Sequence, residues 1–78
     1  MPTVLTHKGY RFFFYSNDHS PIHMHIEKGG KTAKYYLEPL ELARSSEFNS
    51  QELREIRNFI SENVESLKFK WNDFFDNN

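Results

Sequence analysis

Hydrophobic and polar residues alternate along the stretch 22–27, which reads IHMHIE. A period of two is typical of a β-strand that buries one face and leaves the other exposed. The three apolar residues of the stretch therefore share one face of the strand, while His23 and His25 share the opposite face.

The clearest turn signal in the chain follows directly, at Gly29-Gly30. Adjacent glycines accept the positive φ angles of a tight two-residue hairpin turn. Such a turn places His25 opposite Lys34 and His23 opposite Tyr36, and it pairs apolar with apolar residues on the other face. Agreement of this kind fixes the register of a half-buried sheet.

An aromatic stretch at residues 10–15, which reads YRFFFY, predicts a central strand. A short extended segment around Val4 precedes it, and Lys8-Gly9 is a candidate turn between the two. This turn pairs His7 with Tyr10, Leu5 with Phe12, and Thr3 with Phe14. The turn formers of residues 16–21 then end the aromatic strand.

The second half of the chain predicts a short strand and then a helix. Leu40, Leu42 and Ala43 indicate a short strand after Pro39, and residues 45–49 are interpreted as a loop. Asn49 or Ser50 can cap the helix, with Glu52 in its first turn. One apolar stripe then recurs at helical spacing: Leu53, Ile56, Ile60, Val64, Leu67, Trp71 and Phe74.

The predicted fold is α+β, with an antiparallel meander of about four strands and a long C-terminal helix packed on one face. One helix over residues 50–76 is favoured, and a break at residues 61–63 is the alternative. Residues 1–78 form a single domain at this length. Because the helix covers the apolar face, we expect the histidine face to lie toward solvent or a partner.

Composition removes several classes of protein. The 78-residue chain has no cysteine, which excludes disulfides and thiolate zinc sites and fits a cytoplasmic location. No apolar run approaches the roughly 20 residues of a membrane span, and the N-terminus lacks the apolar core of a signal peptide. The net charge of −1 disfavours broad electrostatic capture of nucleic acid. So small a core makes stabilisation by a partner or a second copy, as a homodimer, a reasonable expectation.

The candidate chemistry lies in a motif of the form His-x-Pro-x-His-x-His. Its imidazoles, His19, His23 and His25, are the metal ligands of one hypothesis, in which they hold a divalent transition metal with an open position for water. Asp18 or Glu27 could supply an oxygen ligand or orient a ring.

A second hypothesis needs no cofactor. Two histidines act as base and acid, and a lysine or arginine stabilises the charge of a phosphorane during cleavage of RNA by its own 2′-hydroxyl. The candidate catalytic residues are His19, His23, His25, Lys34, Tyr36 and Arg11. The third interpretation is that the histidines are ordinary polar residues on a solvated or partner-covered face.

Five segments resemble a small bacterial family called domain of unknown function 4160. They are residues 1–5 (MPTVL), 9–17 (GYRFFFYSN), 19–26 (HSPIHMHI), 37–39 (LEP) and 70–75 (KWNDFF). Within the resemblance, His19, His23 and His25 match the motif positions of the family. Ile22 departs from the pattern, because a second proline is usual there.

The resemblance implies a role rather than a reaction. Members of that family are often encoded beside a second small protein, of the family called domain of unknown function 2442, in an arrangement similar to a toxin–antitoxin pair. The implied function is a toxin that acts on RNA or translation and is blocked by a small antitoxin-like protein. The alternative is a non-enzymatic protein-interaction or metal-binding module.

Overall fold

The computed structural model describes residues 3–19 and 21–76. Within these ranges five strands precede two helices: β1 (Thr3–His7), β2 (Tyr10–Phe13), β3 (His23–Lys28), β4 (Lys31–Leu37), β5 (Leu40–Ser46), α1 (Ser50–Glu62) and α2 (Val64–Asp76). The strands form one antiparallel sheet in chain order. The predicted α+β meander, with helices packed against one face, is therefore confirmed.

The register between β3 and β4 is the predicted one. His25 lies opposite Lys34, and His23 lies opposite Tyr36. The turn between the strands contains Gly29 in the left-handed region, with φ of 54°. The two-residue glycine turn thus fixes which side chains face each other across the hairpin.

The pairing of β1 with β2 agrees with the prediction near the turn and differs from it further away. His7 lies opposite Tyr10, but Thr3 lies opposite Phe13 rather than Phe14, because the register shifts between Thr3 and Leu5. The strand β2 consequently ends at Phe13, two residues earlier than the aromatic run suggested.

The strand β5 is longer than the weak alternation of its residues indicated. Ser45 and Ser46, interpreted as loop residues, pair with Ala33 and Thr32 of β4. A register shift near Lys34 interrupts the alternation along β5. Because β5 is an edge strand with largely exposed side chains, backbone pairing holds it without an apolar pattern.

The helix α1 begins with a capping box at Asn49, which is one of the two predicted cap residues. Glu52 N–H donates to Asn49 Oδ1 at 2.8 Å, and Asn49 N–H donates to Glu52 Oε1 at 3.0 Å. These bonds satisfy donors that the first turn of a helix leaves unpaired.

The C-terminal stripe forms two helices instead of the favoured single one, so the predicted alternative is correct. Asn63 separates them with φ of −122° and ψ of 16°. Its side-chain amide donates to Phe59 O at 2.8 Å, while its backbone N–H donates to Ile60 O at 3.1 Å. Asparagine favours such local bonds over helix continuation, which explains the break.

The core lies between the helices and the face of the sheet that we call the inner face. Its buried members from the sheet and the β2–β3 loop are Tyr10, Phe12, Phe14, Met24, Ile26, Ala33, Tyr35 and Leu37, and those from the helices are Ile56, Ile60, Leu67 and Trp71. Burial of this apolar area is the main stabilising contribution. Neither α1 nor α2 is long and apolar enough to cross a membrane.

Candidate functional site

The outer face of the sheet, opposite the core, carries His23, His25 and Lys34. The ring centroids of His23 and His25 are 5.1 Å apart, as expected for alternate residues of one strand. The prediction that both histidines project from the same face, beside Lys34 and Tyr36, is therefore confirmed.

The loop between β2 and β3 folds back over this face. Tyr15 packs edge-on against His25, with centroids 4.9 Å apart, and against Phe13 at 5.4 Å. Asp18 closes the loop, because its Oδ2 accepts a hydrogen bond from Tyr15 N–H at 2.8 Å and its own N–H donates to Tyr15 O at 3.0 Å. This turn places the Asp18 carboxylate above the two imidazoles.

Asp18, His23 and His25 form a compact group, which we call the outer-face cluster. Asp18 Oδ2 lies 3.3 Å from His23 Nε2 and 3.3 Å from His25 Nε2. One donor atom from each side chain lies within 4.8 Å of the other two. A single carboxylate oxygen therefore lies close to both imidazole nitrogens.

His23 is more buried than we expected from its place on the outer face. It is 5% exposed, and its ring lies 5.1 Å from that of Trp71 in α2. The expectation that the whole histidine face lies toward solvent or a partner is therefore wrong for His23, because α2 reaches the end of the sheet where β3 begins. The His23 ring is held by Nδ1–H, which donates to Pro21 O at 2.9 Å.

His25 lies between aromatic rings, with Phe13 stacked at 5.4 Å on one side. Burial lowers the pKa of His25 below its ordinary value. The Asp18 carboxylate opposes this shift, whereas His23 and Lys34 reinforce it. Its Nε2 is buried and has no hydrogen-bond partner among the described residues, although Asp18 Oδ2 is near.

A cavity of about 330 Å³ opens beside this cluster, and we call it the outer-face cavity. It is lined by Asn17, Asp18, His19, Pro21, His23, Lys34 and Tyr36. The structure thus brings four of the predicted site residues together around one space, and a fifth, His25, lies 3.3 Å from Asp18 without lining this cavity. Lys34 Nζ lies 5.4 Å from the centroid of the Tyr36 ring.

Two predicted residues are placed differently. Arg11 does not line the cavity: it forms an ion pair with Glu27 at 2.9 Å and lies over the Phe13 ring at 4.2 Å. His19 is exposed and lines the cavity, but it does not belong to the outer-face cluster. Among the described side chains, Asp18 takes the position that the three-histidine metal hypothesis gave to His19.

Sequence reasoning missed Arg44 and Tyr15. They line a second cavity of about 170 Å³ together with Phe13 and His25. Arg44 lies opposite Lys34 on the neighbouring strand, which puts two cations side by side on the outer face. The irregular register of β5 concealed this pairing, and the position of Tyr15 depends on how the loop folds.

The family described as "Domain of unknown function (DUF4160)" matches residues 9–72. The chain belongs to this family. The match includes the whole His-x-Pro-x-His-x-His motif and Trp71, so the outer-face cluster lies entirely within the family region. No curated protein and no solved structure matches the chain.

Proposed function

We propose that this protein acts on RNA in the outer-face cavity and serves as the toxin-like member of a pair whose other member is a small antitoxin-like protein. The observation that supports the proposal is the convergence of His19, Lys34 and Tyr36 on one cavity beside a partly buried carboxylate–histidine group. Concave sites with a few convergent polar groups are the usual places for ligand binding.

The charges of the outer face suit a phosphodiester. Lys34 and Arg44 are neighbours on adjacent strands, and like charges placed opposite each other cost stability unless an anion lies between or beside them. The chain as a whole has a net charge of −1, so this pair provides local rather than global attraction for phosphate. Tyr36 and Tyr15 offer aromatic surface on which an unpaired base can stack.

The reaction class that fits is cleavage of RNA by its own 2′-hydroxyl. The 2′-oxygen loses a proton and bonds to the adjacent phosphorus, the bond to the 5′-oxygen breaks, and that oxygen gains a proton. His19 is the exposed imidazole placed to accept the first proton, and the Tyr36 hydroxyl is a group that can donate the second. Lys34 supplies positive charge for the phosphorane.

Expression of the chain by itself in a bacterial host tests the biological part of the proposal. We expect growth arrest, and we expect coexpression of the small protein encoded by the neighbouring gene to relieve it. Purified protein should cleave single-stranded RNA, leaving a 2′,3′-cyclic phosphate and a 5′-hydroxyl.

Two surface substitutions test the site. His19→Ala should lower the cleavage rate by about 100-fold or more, which is the usual contribution of a positioned acid or base. Lys34→Ala should also slow cleavage, whereas Lys70→Ala, a matched change at an exposed lysine of α2, should not. Absence of both arrest and cleavage would contradict the proposal and favour a non-enzymatic binding module.

A further inference from the structure

We propose that Asp18, His23 and His25 bind a divalent first-row transition-metal cation, such as Zn²⁺, at the wall of the outer-face cavity. Binding of the ion is independent of the proposed function, but any part that the ion plays in RNA cleavage rests on it.

The spacing of the outer-face cluster agrees with coordination. Around a four-coordinate zinc ion with bonds of about 2.0–2.2 Å, neighbouring donor atoms lie roughly 3.3–3.5 Å apart. Asp18 Oδ2 lies 3.3 Å from Nε2 of His23 and 3.3 Å from Nε2 of His25. All three donors are within 4.8 Å of one another, so the widest pair must close by at most about 1.4 Å, or about 0.7 Å for each side chain, to surround one ion.

The orientation of the His23 and Asp18 side chains also agrees with metal coordination. The proton of His23 Nδ1 is donated to Pro21 O, and a ring held in this way directs Nε2 toward the cluster. Metal-bound histidines usually have such a bond from their second nitrogen to a carbonyl or carboxylate. The backbone N–H of Tyr15 donates to Asp18 Oδ2, the oxygen proposed as a ligand, and so holds it near both imidazoles.

A poorly satisfied polar atom gives a further reason for a cation. His25 Nε2 is buried, and its contact with Asp18 Oδ2 at 3.3 Å is at most a weak hydrogen bond, which leaves the nitrogen poorly compensated for its burial. Its nearest acidic neighbour, Asp18 Oδ2, is at a distance that suits a shared ion better than a hydrogen bond, for which about 2.9 Å is usual. A cation between the two atoms would satisfy both.

The donor set selects the kind of ion. Two imidazoles and one carboxylate suit zinc and other first-row transition metals, whereas Mg²⁺ and Ca²⁺ prefer oxygen ligands throughout. Three protein ligands leave a position open, and Asp18 and His23 both line the cavity into which it would face. Together with Lys34, the ion would make this wall of the cavity positive and so favour an anionic substrate.

Titration calorimetry on the full chain, purified without an affinity tag and treated with a chelator, tests the proposal directly. We expect one equivalent of Zn²⁺ to bind, and neither Mg²⁺ nor Ca²⁺ to bind. His25→Gln and Asp18→Asn should each weaken zinc binding by about 10–100-fold or more. Loss of a residue that only orients a ligand already costs that much, and these two residues are proposed as ligands themselves. His19→Gln is the matched control and should leave the affinity unchanged.

The variants should retain the circular dichroism spectrum and the unfolding midpoint of the metal-free wild type, so that lost binding is not lost folding. Absence of zinc binding by the wild type, or unchanged binding by both Asp18→Asn and His25→Gln, would overturn the proposal. Loss of binding in His19→Gln would overturn this ligand set in favour of three histidines.

Measuring RNA cleavage in the presence of a chelator distinguishes the proposed metal site from the proposed RNA cleavage. Full RNA cleavage in the presence of a chelator would overturn a role of the ion in cleavage while leaving the measured binding intact. Zinc binding by a protein that never cleaves RNA would support the metal site and contradict the proposed function.

Discussion

The inner face of the sheet is buried almost throughout, whereas the outer face is largely half-buried or exposed and buries His23 among polar neighbours. On the inner face, Met24 and Ile26 are completely buried against α1 and α2, and the cluster around them is apolar. On the outer face, His23 is nearly as buried, yet it lies beside Asp18 and His25. Burial of apolar area stabilises a fold, whereas burial of imidazoles and a carboxylate costs free energy unless they are paired.

Polar groups on the inner face also differ from those on the outer face in their hydrogen bonding. Tyr10 hydroxyl donates to Glu55 Oε1 at 2.8 Å, and Tyr35 hydroxyl donates to Leu53 O at 3.2 Å. By contrast, His25 Nε2 on the outer face has no partner among the described residues. Unsatisfied buried groups are rare in native proteins and concentrate at functional sites, so the contrast supports the proposal of a binding site on the outer face.

The largest expected effect on stability is in the core, where α1 packs against the inner face. Ile60 is completely buried, so Ile60→Ala should reduce the free energy of unfolding by about 2–5 kcal/mol through lost burial and the cavity left behind. Urea denaturation measures this value. Phe69→Ala, at a residue that is 69% exposed, is the control and should change it by less than about 0.5 kcal/mol. Equal losses in the free energy of unfolding for Ile60→Ala and Phe69→Ala would contradict the assignment of Ile60 to the core.

The free energy of unfolding should depend on pH through Tyr10, whose hydroxyl donates a hydrogen bond to Glu55. Burial, with a further contribution from Glu55, raises the pKa of Tyr10 to about 12. The unfolded chain therefore ionises this tyrosine first, so its contribution is complete below about pH 10 and is lost as the pH rises through 12.

Comparison of the wild type with Tyr10→Phe isolates this contribution. The variant should be less stable by about 1 kcal/mol at pH 8 through loss of the hydrogen bond, and the difference should shrink above pH 10. Burial also raises the pKa of Tyr35, so part of the alkaline decline should remain in the variant. A difference that is constant up to pH 11 would contradict the assignment to Tyr10.

The smallest effect on stability is expected on the outer face. Asp18→Asn retains an oxygen that can accept from Tyr15 N–H, so it should change the free energy of unfolding of the metal-free protein by less than about 1 kcal/mol. The same variant should lose its stabilisation by zinc. Thermal unfolding with and without zinc measures both quantities. A loss of several kcal/mol without metal would mean that Asp18 is chiefly structural.

Local pattern was enough to predict much of the sheet. The glycine turn and the alternation of residues 22–27 placed His23 and His25 beside Lys34 and Tyr36, because hairpin register depends on a few neighbouring residues. Capping of α1 by Asn49 was predictable for the same reason.

Non-local contacts were beyond prediction. Burial of His23 depends on Trp71, which is 48 positions away in the sequence. The alternation of apolar and polar residues along a strand does not predict such a distant contact. The central place of Asp18 depends on how the β2–β3 loop folds back, so sequence named this carboxylate only as one of two oxygen donors. The pairing of Arg44 with Lys34 was hidden by the register shift in β5.

A crystal structure of the tag-free chain grown with zinc, with anomalous data collected at the zinc absorption edge, tests the central claim most directly. We expect an anomalous peak for a zinc ion at about 2.0–2.2 Å from Asp18 Oδ2, His23 Nε2 and His25 Nε2, beside the outer-face cavity. No peak at the cluster, or a peak only on exposed His19, would contradict it.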